Sequence, residues 1–560
     1  MHLVLAFILL LAQPGGGAAG YAVNLNRAQA EAHVDSLGGD YIELKAKFQP
    51  HWATSMGIPG YDGRLARYTG QNVSRSLRRC FGIRRKLTSF EEDTLSISGW
   101  VDQQLLLAEI QKHEYWFAVQ TTWRRSPLPY TDAIIEGIVS LMLSGREDSL
   151  SEHLASRLAD IPNVVADARE NVTDPIKLHC EVAAADLRAF VPALEAERLG
   201  DETAIDAGIV TQDVLRDARG AIEGFADFID SLAVGGEVVE GLGAEEYASY
   251  LATAYMLEEP LEKVVDEAKR AMEQARVKKI ELRGTTDREI IARLPDGSRP
   301  ETDEDPADEY REGLGSALKR MEMLEILNVT SGDGLVEVSA WPPLVPAAEG
   351  LLYGRPDVSG GSPGGRILMQ VAEHPARTSE DARAWRWAAV LLSSYPVLHP
   401  AEVRLLDHPS AVRRYIRSSM GRDGWDLYFS TVIASPVPVD GPEQLAKWTN
   451  LVYYAAAAIA EINIHTGEWN LDEAADFIAE KTLRERELAL EDARRYAVAP
   501  GTGIGYLLGR REIIRLRERY KKFKRNSFDL KEFHDTLLSC GYLPPYLLSI
   551  EVMSKGMGRE

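Results

Sequence analysis

The sequence predicts a mostly α-helical protein with a small β-sheet set into it. Three observations lead there. Apolar residues return every three to four positions over most of the chain. Only two short stretches alternate with the period of a strand. Runs of turn-forming residues long enough to break the helical pattern concentrate in two places. With 560 residues the chain can bury a large core, and 45% hydrophobic with 26% charged residues is the composition of a globular protein rather than a disordered one. Acidic residues outnumber basic ones, 85 to 63, for a net charge of −22. Such a surface excludes nucleic acid or an anionic membrane as the main partner.

The chain opens MHLVLAFILLLAQPGGGAAGYA. Its apolar run, Leu3 to Ala12, is shorter than the roughly 20 residues that a spanning helix needs. The small residues Gly15 to Gly20 follow, with a candidate cleavage site near Ala18-Ala19-Gly20. Residues 1–20 therefore read as a signal peptide, although the leading segment carries His2 and no Lys or Arg. The expected location is secreted or extracytoplasmic. No later segment is long and apolar enough for a membrane span. Glycosylation sequons stand at Asn72, Asn171 and Asn328. Cys80, Cys180 and Cys540 are odd in number and far apart, so they read as buried thiols rather than as a disulfide framework or metal site.

Residues 21–560 read as one large helical domain, with sub-regions 21–293 and 313–560 joined by an acidic loop, 294–312. Residues 98–122 carry Leu105, Leu106, Ile110 and Trp116 in helical register. The same behaviour recurs over 129–143, 149–170 and 176–196, then over the Ala-, Glu- and Arg-rich stretches 204–233, 244–256 and 258–284. Pro260 suits a helix start. Residues 294–312 and 354–366 are turn-forming runs. Between them Leu335 to Ala340 alternates like a strand, and Ile367 to Ala372 supplies a second. A helix is expected from Pro409-Ser410 to Ser419, and a long apolar one over 443–465. Asn470 is placed to cap a helix opening at Leu471. Arg510 to Lys524 is strongly basic on a helical pattern, which reads as a solvated face, or else as an anion-binding surface.

One stretch concentrates the functional question. Residues 391–430 contain a Tyr395-Pro396 turn, an Arg-rich helix and Gly424-Trp425-Asp426-Leu427-Tyr428. Downstream come Tyr496, Pro500-Gly501, Tyr506, Gly509, Leu516-Arg517, Phe528 to Asp535, Gly541 and Leu543-Pro544. Upstream stand Trp123, Pro127, Tyr130 and Glu136-Gly137, then Gly243 to Tyr247. In this order and spacing the blocks resemble the domain of unknown function 885 family, over residues 40–550. That family is thought to be related to helical zinc peptidases of the carboxypeptidase Taq and angiotensin-converting-enzyme type. The resemblance implies a helical shell around a deep cleft, with H-E-x-x-P-G-H followed by E-G-W-A-L-Y-A-E. Zinc chemistry requires about three protein ligands, an open position for water and a carboxylate base.

This sequence departs from that pattern at the ligands. With Pro396 as the motif proline, the ligand and base positions hold Leu392, Ser393 and Leu398, with His399 one residue beyond. Asp423 replaces the leading Glu of the second motif and Ser430 its closing Glu. Leu cannot ligate a metal and Ser is a poor ligand for zinc, so no cofactor is expected even though zinc is what the resemblance implies. The reading is a non-peptidase descendant with a cleft for a peptide or small molecule. Trp425, Tyr428, Arg413, Arg414 and Arg417 would supply a polar, aromatic pocket there, or simply structural packing. The alternatives are an enzyme with replaced acid/base chemistry on His399, Asp423, His465 or Tyr506, and a metal-dependent hydrolase with displaced ligands.

The other candidates are weaker. Glu461 and His465, four apart on a helix, share a face and with His399 or His408 could make a displaced metal site. The competing reading is a structural His beside a carboxylate. His113-Glu114 lacks the second His of a zincin helix and reads as core packing. His534-Asp535 reads as a helix-stabilising polar contact or an orienting pair. Tyr506 follows Pro500 to Gly505 and suits an oxyanion donor. Those glycines form no phosphate loop, because no Gly-Lys-Ser/Thr follows. Ser393-Ser394 lacks a nucleophile elbow.

Overall fold

The computed structural model describes residues 25–142, 144, 149–194, 208–283, 325–326, 402, 404–433 and 442–558, together with three strands at 337–340, 351–354 and 366–369. The expected signal peptide, the acidic loop 294–312, Asn328, Leu392, Ser393, Leu398 and His399 lie outside the described residues.

The protein is mostly helical. Its N-terminal half contains α1 (Arg27–Phe48), α2 (Pro50–Ser55), α3 (Gly70–Leu87), α4 (Ile97–Glu114), α5 (Thr122–Arg125), α6 (Leu128–Met142), α7 (Leu150–Asn171), α8 (Lys177–Phe190), α9 (Gln212–Ala233), α10 (Ala244–Tyr255) and α11 (Leu261–Arg283). Three four-residue strands follow: β1 (Glu337–Ala340), β2 (Leu351–Gly354) and β3 (Arg366–Met369). β3 lies between the others, parallel to β1 and antiparallel to β2. The C-terminal half holds α12 (Ala411–Tyr415), α13 (Ser419–Tyr428), α14 (Pro442–Thr466), α15 (Leu471–Thr482), α16 (Arg486–Val498), α17 (Thr502–Lys524), α18 (Leu530–Leu538) and α19 (Pro545–Gly556).

Local chemistry explains several boundaries. Asn26 and Asn470 each form a reciprocal capping box, with Gln29 and Glu473. Thr69, Ser96, Thr211, Ser410, Ser418 and Asp529 accept from the third backbone N–H of their helices. The helix expected over 410–419 is interrupted. α12 ends at Tyr415, Ile416 is extended, and Ser418 caps α13. A serine able to satisfy a free N–H makes this second start inexpensive. Two helices end in single π-helical turns, Tyr115–Val119 after α4 and Phe429–Ile433 after α13.

Packing joins the ends of the chain. One core cluster sets Leu37, Tyr41, Leu87 and Leu106 of α1, α3 and α4 against Trp425, Tyr428, Leu516, Phe533 and Val552 of α13, α17, α18 and α19. A second fills the N-terminal bundle of α6 to α9 with Ile134, Leu158, Leu187, Ile222 and Phe225. A third joins α10 and α11 to α13, α14 and α17. His113 takes the expected place in packing, stacked on Phe117 at 4.9 Å and edge-on to Phe48 at 5.0 Å.

Several of the buried charges are paired. Arg413 is 1% exposed. It donates to Asp102 of α4, to the Cys540 carbonyl at 2.6 Å and to Glu551 of α19 at 2.5 Å. Arg413 thus ties three distant parts of the chain together. Arg417 pairs with Glu402 and lies over the Tyr542 ring. Trp425 and Tyr428 are buried at 1% and 0%. Of the expected polar-aromatic pocket, Arg413, Trp425 and Tyr428 are therefore core residues.

α13 and α17 cross with their backbones in contact. A Cβ on Gly424 would stand 2.3 Å from the Gly509 Cα, and one on Gly509 would stand 2.1 Å from the Met420 carbonyl oxygen. Those atoms are backbone and cannot move aside. Gly424→Ala is expected to destabilise the protein by about 3 kcal/mol, the upper end of overpacking costs. Urea unfolding reads this directly, and an unchanged midpoint would contradict the close crossing.

Candidate functional site

The crossing of α13, α14 and α17 gathers most of the chemistry. It begins with a buried carboxylate. Glu461 of α14 is 0% exposed. It accepts from the Tyr247 hydroxyl at 2.5 Å and from the backbone N–H groups of Gly501 at 2.6 Å, Gly503 at 2.5 Å and Ile504 at 3.3 Å. Glu461 thus satisfies the free donors at the start of α17, where the helix dipole also favours a negative group. Burial pushes its carboxyl up to about 7, against the pull of these hydrogen bonds. The glycines of Pro500 to Gly505 make the approach possible. Gly501 sits at φ +97°, and a Cβ there would lie 2.5 Å from the Tyr255 hydroxyl. A Cβ on Gly503 would lie 2.8 Å from the Ala457 carbonyl oxygen.

His465 follows one turn along α14 and stacks on the Tyr247 ring at 4.4 Å. Its Nδ1 accepts from the Leu242 N–H at 3.2 Å, and its Nε2 faces the Tyr496 carbonyl at 3.0 Å. A carbonyl can only accept, so Nε2 carries the proton and neither nitrogen is left for a metal or a substrate. Burial lowers its pKa to about 4. Both ring nitrogens of His465, expected as a cleft acid/base group, thus face backbone partners. Glu461 and His465 do share one face, but as a structural anchor.

Next to the anchor stands a set of groups that solvent still reaches. Asp423 of α13 is half-buried. Burial raises its carboxyl to about 6, partly offset by Arg422. Arg422 is exposed to solvent. Loss of hydration opposes its charge. Asp423 and Glu402 outweigh that loss and hold its pKa above the ordinary value. Tyr506 of α17 stacks on Tyr454 of α14, with centroids 4.0 Å apart and planes 16° apart. Burial, then Asp423 and Asp426, push the Tyr506 phenol well above its usual range, so it stays a donor at neutral pH. The Ser419 hydroxyl donates to the Tyr255 hydroxyl oxygen at 3.3 Å. Asp423 and Tyr506, two of the four candidates, therefore come together here. Tyr255, Tyr454 and Arg422 join them without any motif to mark them.

The remaining candidates disperse. Ser430 lies buried in the π-helical turn, where its hydroxyl donates to the Leu427 carbonyl of its own helix at 3.4 Å. His534 turns inward: Nδ1 faces the Ile326 carbonyl at 2.8 Å and Nε2 lies 3.0 Å from the Tyr428 hydroxyl. Asp535 turns the other way and pairs with Arg404 at 2.7 Å. The two do not form a pair with each other, because successive helix residues point about 100° apart. Another perturbed carboxylate, Asp132 of α6, is raised to about 7 by burial and then by Glu136 and Asp186. Among the described residues no three His, Cys, Asp or Glu side chains gather as a metal ion would require. No helix among them is long and apolar enough to cross a membrane.

Comparison with known proteins places this architecture. Residues 50–552 match the family described as "Bacterial protein of unknown function (DUF885)", and the chain belongs to that family. Two solved structures share the fold. One, named as a candidate lipoprotein of unknown function, is from Shewanella oneidensis. It is 18% identical, with a TM-score of 0.70, over 92% of this chain and 98% of that one. The other, also named as a candidate lipoprotein, is from Colwellia psychrerythraea. It is 17% identical, with a TM-score of 0.74, over 94% of this chain and all of that one. No curated protein matches the chain.

Two predictions follow from the electrostatics. The folded-state pKa of Asp423 lies above its ordinary value, so the folded protein binds more protons than the unfolded one between about pH 4 and 6. Its ionisation costs stability as pH rises through that window. Asp423→Asn should match wild type below about pH 4 and exceed it by about 1–3 kcal/mol above pH 6. Parallel denaturation curves across pH would expose a constant difference, which would contradict the assignment. Glu461→Ala leaves the first N–H groups of α17 and the Tyr247 hydroxyl buried without an acceptor. A loss of roughly 3–5 kcal/mol is expected, measured by calorimetry.

Proposed function

We propose that this DUF885 member is a binding protein rather than a metallopeptidase, and that its ligand is a small polar molecule or a peptide. The ligand lies in a cleft against Asp423, Tyr506, Tyr454, Tyr255 and Arg422. One observation carries the reading. Arg422 is exposed and Asp423 and Tyr506 are half-buried, with Tyr506 stacked on Tyr454, and the Asp423 charge acts on both Arg422 and Tyr506. Phenols that stay protonated, an acceptor carboxylate and a guanidinium together suit a ligand with both donors and acceptors.

The donor chemistry does not fit zinc. Two of the four positions that would complete such a site hold leucine, and the Ser430 hydroxyl is spent on its own helix. No step through a metal is therefore derived. A second reading, catalysis with replaced groups, is favoured by one feature: Asp423 titrates near 6 beside the Tyr506 donor, a range suited to proton transfer near neutral pH. An extracytoplasmic location accords with the apolar run Leu3 to Ala12 and with the names of the two structural neighbours.

Metal analysis of the purified protein, combined with a thermal-shift screen of peptides and polar metabolites, tests the proposal. The expected outcome is a metal-free protein stabilised by at least one compound, with the stabilisation lost in Tyr506→Phe and Asp423→Asn. About one equivalent of tightly held zinc would overturn the metal-free reading. Stabilisation indifferent to both substitutions would overturn the placement of the site. Turnover of such a compound by metal-free protein, lost in Asp423→Asn, would establish the second reading instead.

A further inference from the structure

α14 and α17 run antiparallel past each other, as two meetings show: Glu461 with Gly503, and Tyr454 stacked on Tyr506. Continuing the same way along both helices leads to Lys447 of α14 and Arg510 of α17, and burial first, then the Arg510 charge, lowers the Lys447 pKa. Lys447 lies seven residues from Tyr454, and Arg510 four from Tyr506, so each shares the face of its stacked neighbour. The basic run of α17 looks uniform in sequence but is not uniform in space. Arg511 pairs with Glu259 and Glu267, Arg515 with Glu267 and Glu512, Arg517 with Glu518, and Lys524 with Glu532.

Arg510 differs from all of these. Among the described residues it has no carboxylate partner. Its Nε donates to the Thr431 hydroxyl at 2.7 Å, in the π-helical turn that follows α13. Thr431 in turn donates to the Leu427 carbonyl, which fixes its lone pairs toward Arg510. Among the described residues neither terminal nitrogen of the guanidinium has a hydrogen-bond partner. Lys447 is only 4% exposed, lies over the Trp448 ring at 4.7 Å, and has no hydrogen-bond or carboxylate partner among the described residues. Two neighbouring cations, one of them almost fully buried, cost free energy through desolvation and mutual repulsion. π-helical turns and unpaired buried charge both concentrate at functional sites.

We propose that Lys447 and the terminal nitrogens of Arg510, held by Thr431, bind an oxyanion, the carboxylate or phosphate of a ligand whose remainder lies along the Tyr454–Tyr506 pair. This deepens the proposed function and rests on its placement of the cleft. A guanidinium fork and an ammonium together offer several convergent donors to one group of oxygens. The anion restores the charge balance that the fold leaves open.

Isothermal titration of the full-length protein with inorganic phosphate and with succinate, at ionic strength held constant by chloride, tests it. Saturable binding of at least one is expected, and which of the two binds separates phosphate from carboxylate chemistry. Lys447→Met and Arg510→Met should each weaken it by about tenfold or more, as loss of one charge-assisted contact would. Lys447→Met removes an unpaired buried charge, so it should fold at least as stably as wild type, which calorimetry checks. Arg515→Met, which alters a surface residue already paired with glutamates, should bind within about twofold of wild type. A wild-type protein indifferent to both anions overturns the proposal, and so does equal weakening by Arg515→Met. Anion binding in a protein that no compound of the thermal-shift screen stabilises would keep the anion site and reject the ligand cleft, so the two failures are distinguishable.

Discussion

The capture of the α17 N-terminus by the Glu461 carboxylate is the constraint on which the centre of this protein depends. A helix start has free N–H groups that must be satisfied, and a buried carboxylate needs donors. Each solves the other's problem, and the solution fixes α17 against α14 in both position and rotation. From that point Tyr506 falls on Tyr454, and Arg510 falls beside Thr431. Tyr247 and His465 extend the anchor to α10 and α16 through a shared stack and two backbone contacts. A rigid platform of this kind holds nearby side chains in place without using them up.

The same centre shows how differently a fold can treat its charges. Arg413 is buried and fully answered by Asp102, Glu551 and a carbonyl. Arg511 and Arg515 are answered at the surface by glutamates. Asp423, Lys447 and Arg510 are enclosed without comparable compensation, and their pKa values shift accordingly. These three stand where three helices and a π-helical turn converge. That contrast, rather than any motif, directs attention to the site.

Much of the architecture was legible in the chain. The helices α6, α7, α10, α14 and α15 begin within a residue or two of where periodicity and capping residues put them, because those signals act within a few residues. The glycines at 424, 501 and 509 were visible as a family frame, but their purpose was not. Each is needed because a particular neighbour comes within contact distance: Gly509, Tyr255 and Met420. His465 looked like a cleft group because its helix face was known and its surroundings were not. Leu242 and Tyr496, which occupy its two nitrogens, lie far from it in the chain. Arg510 was hidden inside a run of basic residues with identical local character. Only the positions of Glu259, Glu267 and Glu512 distinguish it from Arg511 and Arg515.

By itself, the sequence determined the helical class and the family frame. These depend on residue identity and on short-range pattern. The tertiary structure alone decided which polar groups are satisfied and which are left open. A hydrogen bond or ion pair depends on what approaches from elsewhere in the chain, and burial decides what an unmet charge costs. Glu461 and Arg510 show the outcome. One is a buried acid answered by a helix start and a tyrosine, and the other is a cation placed by a threonine and, among the described residues, left with donors to spare.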